Sequence, residues 1–439
     1  MHFSRARTIA IASAVTASLA LAGCATSDGT GEGSATGDGT GEGSDAQETC
    51  EISFLTALTP SLSESFWEEQ VGIILEEELP NLKVDIQYSP GLDRRAYASQ
   101  LLAAGTLPDL LWEVPTAEFV RAGAILPYDE ADVKKTGIAD EAAMFDGKFY
   151  TLPVGSRPKP LIYYNKDIFK ANGLSVPSTF AELVDVAAKL KSAGVTPFLA
   201  GGGSDPWTSA LLLSTIIQTD VYAENANWMQ DRKEGQVSFT DPLFKSAVQK
   251  WNDLVKKGYF NSDALSLSYT QLIAKFVNGE GAMYPMGSWA SVTVADFDIG
   301  LFALPNDAGK TIIGNAPTQM LSVSSESKCT DQVKAFAVAL ATSEEFATAF
   351  FLSDGLISFI PGWEAPTGIT QLLKDTVDVT QGDVTLVDVW AELSGPNAAP
   401  TGFMNEFDKG AQEVISGGSV DDFLANMDKV FDDLNTAGQ

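Results

Sequence analysis

Four tryptophans lie beside residues that favour turns, where an aromatic side chain can face a binding cleft. They are Trp112 before Glu113-Val114-Pro115, Trp207 after Asp205-Pro206, Trp289 after Gly287-Ser288, and Trp363 after Pro361-Gly362. The flat face of an indole matches the C–H face of a pyranose ring, and nearby carboxylates accept hydrogen bonds from sugar hydroxyls. One such tryptophan is more often a local packing residue. Four of them beside polar loop residues favour a ligand site.

The sequence offers little for enzymatic chemistry. His2 is the only histidine, and it lies in a segment that is removed on export, as argued below. The mature chain therefore has no Ser–His or Cys–His nucleophile pair and no histidine-ligated zinc. We expect no catalytic residues, no metal site and no cofactor. A secreted glycosidase stays open as an alternative, because its paired carboxylates need no histidine.

The N-terminus predicts a lipid anchor. Arg5 and Arg7 precede an apolar run that ends in Leu21-Ala22-Gly23-Cys24. A basic start, a short apolar stretch and small residues before a cysteine are typical of a signal peptide cleaved before a lipid-modified cysteine. We expect residues 1–23 to be the signal peptide and Cys24 to carry the lipid, with an ordinary signal peptide or a short membrane anchor as alternatives.

The segment after Cys24 predicts a tether. The heptapeptide DGTGEGS occurs twice, at positions 28–34 and 38–44. Such a Gly/Ser/Asp/Glu tract has almost nothing to bury and repels itself. We expect residues 24–49 to be a disordered leash between the membrane and a folded body.

Length, net charge and cysteine count limit the number of lobes and the kinds of partner expected for the folded body. About 390 residues follow the tether, more than one ordinary core accommodates, so two lobes are expected. The formal net charge is −30, which argues against nucleic acid as a partner. The mature body keeps two cysteines, Cys50 and Cys329, and an even pair in an exported protein is more often bridged than free.

The first part of the body alternates strands and helices. Strands are predicted at Ile52–Leu55, Lys83–Tyr88 and Asp109–Trp112, with helices between them, the second over Arg94–Ala104. This βαβαβ rhythm predicts a parallel sheet with covering helices.

A second unit follows the same signals. A strand is predicted at Leu161–Tyr164, and Thr179 with Glu182 forms a capping box before the next helix. Further helices are predicted after Asp241-Pro242 and after a cap at Thr330. The fold class is therefore α/β with two lobes.

Several segments resemble the extracellular solute-binding proteins, family 1, of ABC sugar importers, the maltose-binding-protein-like group. The matching segments are Ala103–Asp109, Gly147–Pro153, Tyr163–Phe169, Phe276–Met283 and Gly287–Trp289. The resemblance implies a periplasmic-binding-protein-like fold, class II, of cluster B or D type, with crossing hinge strands. Lobe one would be 50–155 with 316–365, and lobe two 156–315 with 366–439.

The resemblance also implies a set of ligand-binding residues. Trp112 would stack on sugar from lobe one, and Trp207 and Trp289 from lobe two, while Asp205, Glu113 and Arg157 bond hydroxyls. Trp363 and Phe403 are further candidates, Phe403 because a late aromatic position of the family falls near it. The family's carboxylate near the hinge is replaced around Arg157-Pro158, which suggests a changed substrate. The family topology also places Cys50 and Cys329 on one edge of lobe one, away from the cleft, so a disulfide is expected.

The implied function is that of a monomeric, lipid-anchored binding protein at the outer face of the cell membrane. It would capture a neutral carbohydrate, an oligosaccharide in particular, between closing lobes and deliver it to an ABC permease. Alternatives are a protein that binds polyamines or another cationic solute, suggested by the net charge, and a receptor that reports to a sensor kinase. The sequence does not reveal which sugar is bound.

Overall fold

The computed structural model describes residues 50–91, 93–138, 144–304, 306–315, 317–318, 320–382, 384–387, 389–391 and 398–437. The predicted signal peptide, Cys24 and the tether lie outside these residues. Within the described ranges no single helix has the length and apolar composition needed to span a membrane. In the same described ranges, the consecutive helices Thr330–Thr342 and Glu344–Asp354, bent by 61° at the break between them, reach that length and composition as a pair.

Lobe one is built on a five-stranded sheet in the order β2-β1-β3-β11-β4. Its strands are β1 (Cys50–Thr56), β2 (Leu82–Tyr88), β3 (Leu110–Trp112), β4 (Ile125–Leu126) and β11 (Leu321–Ser324). β1 pairs in parallel with β2 and β3, as the βαβ rhythm predicts, whereas β11 is antiparallel to β3 and β4. Phe54 and Leu55 point to opposite faces of β1 and both are buried, so helices must cover both faces of the sheet.

The helices of lobe one include the two predicted between the first strands and the one predicted near Thr330. They are α1 (Glu64–Glu77), α2 (Arg94–Ala104), α3 (Thr116–Arg121), α4 (Glu130–Lys135), α11 (Thr330–Thr342) and α12 (Glu344–Asp354). α1 begins because the Ser63 side chain accepts a hydrogen bond from the backbone N–H of Phe66, and it buries Trp67. α11 differs in one residue from the prediction, because Cys329 is its N-cap and Thr330 is already helical.

Lobe two has smaller sheets and more helix. A three-stranded antiparallel sheet has the order β7-β6-β8, and a pair β12-β9 runs parallel. These strands are β6 (Leu161–Asn165), β7 (Met283–Met286), β8 (Ile299–Phe302), β9 (Ile312–Gly314) and β12 (Thr385–Val387). The helices are α5 (Lys166–Ala171), α6 (Phe180–Ser192), α7 (Leu211–Asp220), α8 (Trp228–Lys233), α9 (Pro242–Lys256), α10 (Tyr269–Val277), α13 (Gln371–Gln381), α14 (Phe403–Ile415) and α15 (Val420–Ala437).

The cap of α6 is half of the predicted box. The Thr179 side chain accepts from the backbone N–H of Glu182 as expected. The Glu182 carboxylate instead accepts from the backbone N–H and the hydroxyl of Ser178, each at 2.7 Å. The helix start is therefore correct, although the reciprocal bond involves Ser178.

Short strands connect the lobes. β5 (Gly155–Ser156) pairs antiparallel with β10 (Pro317–Thr318). The Ser156 backbone also exchanges both hydrogen bonds with Ile357, at 2.7 and 2.9 Å. Three passages of the chain therefore lie side by side between the lobes, in keeping with the crossing hinge strands that the family resemblance implies.

The hydrophobic cores belong to separate lobes. Two clusters of buried side chains surround the sheet of lobe one, one of them centred on Phe54, Trp67 and Phe336. Two others lie in lobe two, the larger built on helices α6, α7, α9, α14 and α15. Each lobe can therefore keep its own shape while the segments between them bend.

A disulfide joins the two chain segments of lobe one. Cys50 at the start of β1 is bonded to Cys329, 279 positions later in the sequence, with Cα atoms 6.4 Å apart. The bond therefore ties the first strand of lobe one to the start of α11, a helix of the returning part of the chain.

Candidate functional site

The site begins at one edge of the sheet of lobe one. β1, β2 and β3 are parallel, so the loops after their carboxyl ends lie together. Ser61 follows β1, Arg94 begins the helix after β2, and Glu113 follows β3 directly. In α/β sheets this edge is where ligands bind.

Glu113 forms a buried ion pair with Arg94. The guanidinium donates to carboxylate oxygen Oε2, and the Thr318 hydroxyl of the crossing strand β10 donates to Oε1 at 3.0 Å. Glu113 has a φ of 54°, in the left-handed region that a side chain other than glycine rarely adopts. Strain of this kind concentrates at functional positions, because the surrounding structure must hold it.

Electrostatics keep Glu113 ionised. Burial raises the pKa of this carboxyl, but the positive charges of Arg94, Arg95 and Arg157 outweigh it, so the pKa lies well below its ordinary value. Burial lowers the pKa of Arg94, and the charge of Glu113 opposes that change. The two groups therefore keep each other charged.

A second buried ion pair connects the hinge with lobe one. Arg157, next to crossing strand β5, donates to Asp354, the last residue of α12. The Ser61 hydroxyl donates to the other carboxylate oxygen of Asp354. Burial raises the pKa of Asp354, while Arg157 and Ser61 oppose the rise. A carboxylate at the negative end of a helix dipole is unfavourable, so its place there needs the guanidinium beside it.

The Arg157 guanidinium lies between aromatic rings of both lobes. Its carbon Cζ is 5.8 Å from the centroid of the Trp289 ring in lobe two. It is also 5.8 Å from the centroid of Phe350 in lobe one. Phe350 in turn stacks on Trp112, with centroids 5.8 Å apart and planes 7° apart. Arg157 therefore links the aromatic surface of lobe two to the core of lobe one.

Trp207 and Trp289 form an aromatic corner in lobe two. Their ring centroids are 6.2 Å apart in an edge-to-face arrangement, and both rings are partly exposed. Tyr269 packs 5.0 Å from Trp207. Asp205 holds this corner, because its Oδ2 accepts a hydrogen bond from the Tyr269 backbone N–H at 2.8 Å. The structure thus brings Trp207, Trp289 and Asp205 together, with Arg157 beside Trp289, and their role in binding a ligand stays a prediction.

Two predicted aromatic positions are corrected by the structure. Trp112 is fully buried, packed against Trp67 and Phe350, so it offers no exposed face for a sugar. Phe403 is also fully buried, stacked on Phe239 in the core of lobe two. Trp112 in β3 and Phe403 in α14 have apolar neighbours around their rings. Both rings therefore pack in hydrophobic cores and have no contact with solvent.

Trp363 lies apart from the aromatic corner. Its ring packs edge-to-face on Phe351, 5.5 Å away, and its indole N–H donates to the Thr348 hydroxyl at 3.1 Å. Both partners belong to α12. Trp363 therefore packs locally on lobe one, as a single tryptophan beside a turn usually does.

Sequence reasoning missed three residues of the site, Arg94, Ser61 and Asp354. Arg94 had a detectable signal, since it opens the helix that follows a parallel strand. Asp354 also had one, because an acidic residue directly before the helix-ending Gly355 opposes the helix dipole. Ser61 had no signal, because a serine before a helix is usually explained as part of its cap. Among the described residues, no group of three or more His, Cys, Asp or Glu side chains could hold a metal ion.

The chain belongs to the family of bacterial extracellular solute-binding proteins, whose model matches residues 56–345. A multiple sugar-binding protein of Streptococcus mutans is 26% identical over 62% of this chain and 67% of its own length. The sn-glycerol-3-phosphate-binding periplasmic protein UgpB of Shigella dysenteriae is 25% identical over 72% of this chain and 75% of its own. An uncharacterised ABC transporter extracellular-binding protein of Pyrococcus horikoshii is 28% identical over 49% of this chain, and the match spans about half, 51%, of that relative.

Solved structures share the fold. A chitin oligosaccharide binding protein superposes with a TM-score of 0.74 and 24% identity, covering 88% of this chain and 100% of that one. The binding protein RafE in complex with raffinose gives a TM-score of 0.69 and 21% identity, covering 88% and 99%. These similarities confirm the predicted two-lobed α/β fold.

Proposed function

We propose that this chain is the lipid-anchored binding protein of an ABC importer and captures a neutral carbohydrate, an oligosaccharide in particular, between its lobes. The observation that carries the proposal is the aromatic corner of Trp207 and Trp289 beside the Arg157–Asp354 ion pair. Indole faces supply apolar contact for sugar rings, and the charged groups supply donors and acceptors for hydroxyls.

The similar proteins support a soluble carbohydrate ligand. Two of them are named for binding multiple sugars and a chitin oligosaccharide, and a third is in complex with raffinose. The UgpB relatives favour a second candidate, sn-glycerol 3-phosphate. Two arginines in the site could hold its phosphate, but each is already paired with a carboxylate.

Capture works through closure of the lobes. A sugar on Trp289 touches lobe two, and its hydroxyls reach lobe one only when the lobes approach. Ligand binding therefore stabilises the closed arrangement by the contacts made there alone. Delivery to a permease follows from release when the lobes separate.

A panel of sugars tests the carbohydrate proposal. Thermal shifts of the full chain are measured with raffinose, stachyose, chitotriose and xylotriose, followed by calorimetry on any ligand that raises the melting temperature. We expect micromolar affinity, about −8 kcal/mol, and at least a tenfold loss in Trp289→Ala with the apo melting temperature nearly unchanged. Wild-type affinity in that variant would remove Trp289 from the site, and no shift with any saccharide would refute carbohydrate binding.

Anchoring is tested separately. Cells that express the chain are labelled with an alkyne analogue of palmitate, and the membrane fraction is analysed. We expect label and membrane association in the wild type and neither in Cys24→Ser. An unlabelled wild-type chain in the soluble fraction would contradict the anchor without affecting the sugar site.

A further inference from the structure

The site contains two arginines and two carboxylates whose charges cancel. Arg94 is paired with Glu113, and Arg157 with Asp354. All four side chains are largely buried, with 12% and 4% of the first pair and 14% and 3% of the second exposed. An uncompensated charge at such depth is costly.

Each pair has further partners that hold its carboxylate in place. Thr318 and Ser61 donate hydroxyl hydrogens to Glu113 and Asp354 respectively. The arginine of the second pair has a buried Nε–H with no hydrogen-bond partner within the described residues. The guanidinium carbon Cζ of this arginine is 5.8 Å from the centroid of the Trp289 ring, so a ligand on that indole lies near the guanidinium.

We propose that Glu113 and Asp354 set the specificity of the site by neutralising Arg94 and Arg157, so that uncharged saccharides are accepted and anionic ones excluded. This inference rests on the proposed carbohydrate site. A guanidinium next to a free position attracts a carboxylate or phosphate strongly. A carboxylate already bound to it removes that attraction and repels a second anion, while uncharged hydroxyls still find donors and acceptors.

The inference makes opposite predictions for the two members of one pair. Asp354→Asn leaves Arg157 uncompensated, so the site gains affinity for an anionic ligand. Arg157→Gln leaves Asp354 uncompensated, so at a pH above the burial-raised pKa of its carboxyl the site gains affinity for a cationic one. The double variant restores neutrality and gains neither. Glu113→Gln makes the corresponding change in the other pair. It leaves Arg94 uncompensated, so affinity for an anionic ligand should rise here as well.

Calorimetry with four probes tests these predictions on the full chain: chitotriose as the neutral saccharide, trigalacturonic acid and sn-glycerol 3-phosphate as anions, and the glucosamine trimer as the cation. We expect no measurable binding of charged probes to the wild type. Asp354→Asn should bind at least one anionic probe at least tenfold more tightly than the wild type does, and the gain should shrink with added salt.

The outcomes separate the inference from the function. If the Asp354→Asn protein folds and binds the anionic probes no more tightly than the wild type does, the inference is wrong. It is also wrong if the wild type binds an anionic probe more tightly than the neutral one. If Asp354→Asn does not fold, Glu113→Gln and the neutral double variant decide the same question. A wild type that binds no saccharide of any charge instead refutes the proposed carbohydrate function.

Discussion

Trp289 owes the position of its ring to the residue two places before it. Gly287 lies so close beneath the indole that a Cβ atom there would overlap the six-membered ring. The Gly287 carbonyl also accepts a hydrogen bond from the Tyr163 hydroxyl at 3.1 Å, which fixes this backbone. The small residue is needed for space, because its φ of −89° is open to any residue.

Gly287→Ala should therefore displace the indole. We expect at least a tenfold loss of affinity for the sugar that the wild type binds, because the stacking face of Trp289 moves. Gly72→Ala is the matched control, since a Cβ atom at this position of α1 meets nothing and alanine favours a helix by roughly 1 kcal/mol. Calorimetry that finds equal sugar affinities in the two variants would contradict the positioning role.

Asp408 is a buried acid outside the site, on α14. Burial raises its pKa from 3.8 to about 7. Between these values the folded protein holds a proton that the unfolded chain has lost, so the free energy of unfolding falls as the pH rises through this window. Above about pH 7 the Asp408 carboxyl is charged in the folded protein too, and the folded state then has the full free-energy cost of burying that charge.

Asp408→Asn should remove this cost. We expect the variant to match the wild type near pH 4 and to be more stable at pH 8, by at most about 4 kcal/mol. Urea unfolding at several pH values measures the difference. Asp433→Asn, an exposed aspartate on α15, makes the same change in net charge and should show no such trend. A constant difference between Asp408→Asn and wild type would disprove the raised pKa.

At the scale of elements, hydrophobic periodicity and capping residues predicted the helix bounds, because neighbouring residues determine those bounds. The bounds of α2, Arg94–Ala104, agree with the prediction, because Asp93 caps its start and Gly105 takes a left-handed conformation at its end. The face of α1 with Trp67, Val71 and Ile74 is buried, and these residues have the spacing of one helix face. These features need only neighbouring residues to specify them.

The site itself was predicted in part, for the same reason. Trp207 and Trp289 lie in short 3₁₀ helices, Pro206–Ser209 and Ser288–Val292, beside turn residues that signal a cleft, and they meet in the structure. Trp112 also lies beside turn residues, at the end of β3. Its surroundings, however, are set by Phe350, a residue far along the chain. The partners of Glu113 and Arg157 are equally distant, Thr318 and Asp354, and no local pattern connects them.

The disulfide between Cys50 and Cys329 is an element-scale constraint that can be tested. It ties β1 to α11 and closes a loop of 279 positions. By limiting the unfolded chain, such a bond stabilises by up to about 5 kcal/mol, and measured values are often smaller. We expect Cys50→Ser/Cys329→Ser to melt at a lower temperature than the wild type.

Reducing agent supplies the control for this prediction. It should lower the melting temperature of the wild type to that of the double serine variant and leave the variant unchanged. Intact mass under denaturing conditions should show both thiols blocked to alkylation in the wild type. Two reactive thiols in the secreted chain would count against the bond.

At the scale of the whole molecule, the described residues of the two lobes also touch outside the crossing strands. The turn after α12 lies against lobe two, where Gly355, with a φ of 63°, faces the Ser288 carbonyl and the Ser291 hydroxyl. The Arg157 guanidinium is another bridge, between Phe350 and Trp289. Separate cores joined by short crossing segments favour motion of the lobes as rigid bodies about those segments.

Sugar binding should therefore make the molecule more compact. We expect the radius of gyration from small-angle X-ray scattering to fall when the wild type is saturated with its sugar, because only the closed arrangement lets both lobes contact the ligand. Trp289→Ala in the same sugar solution controls for changes in solvent contrast and should keep the apo curve. Superimposable curves for free and saturated wild type would show that binding needs no closure, and capture would then depend on lobe two alone.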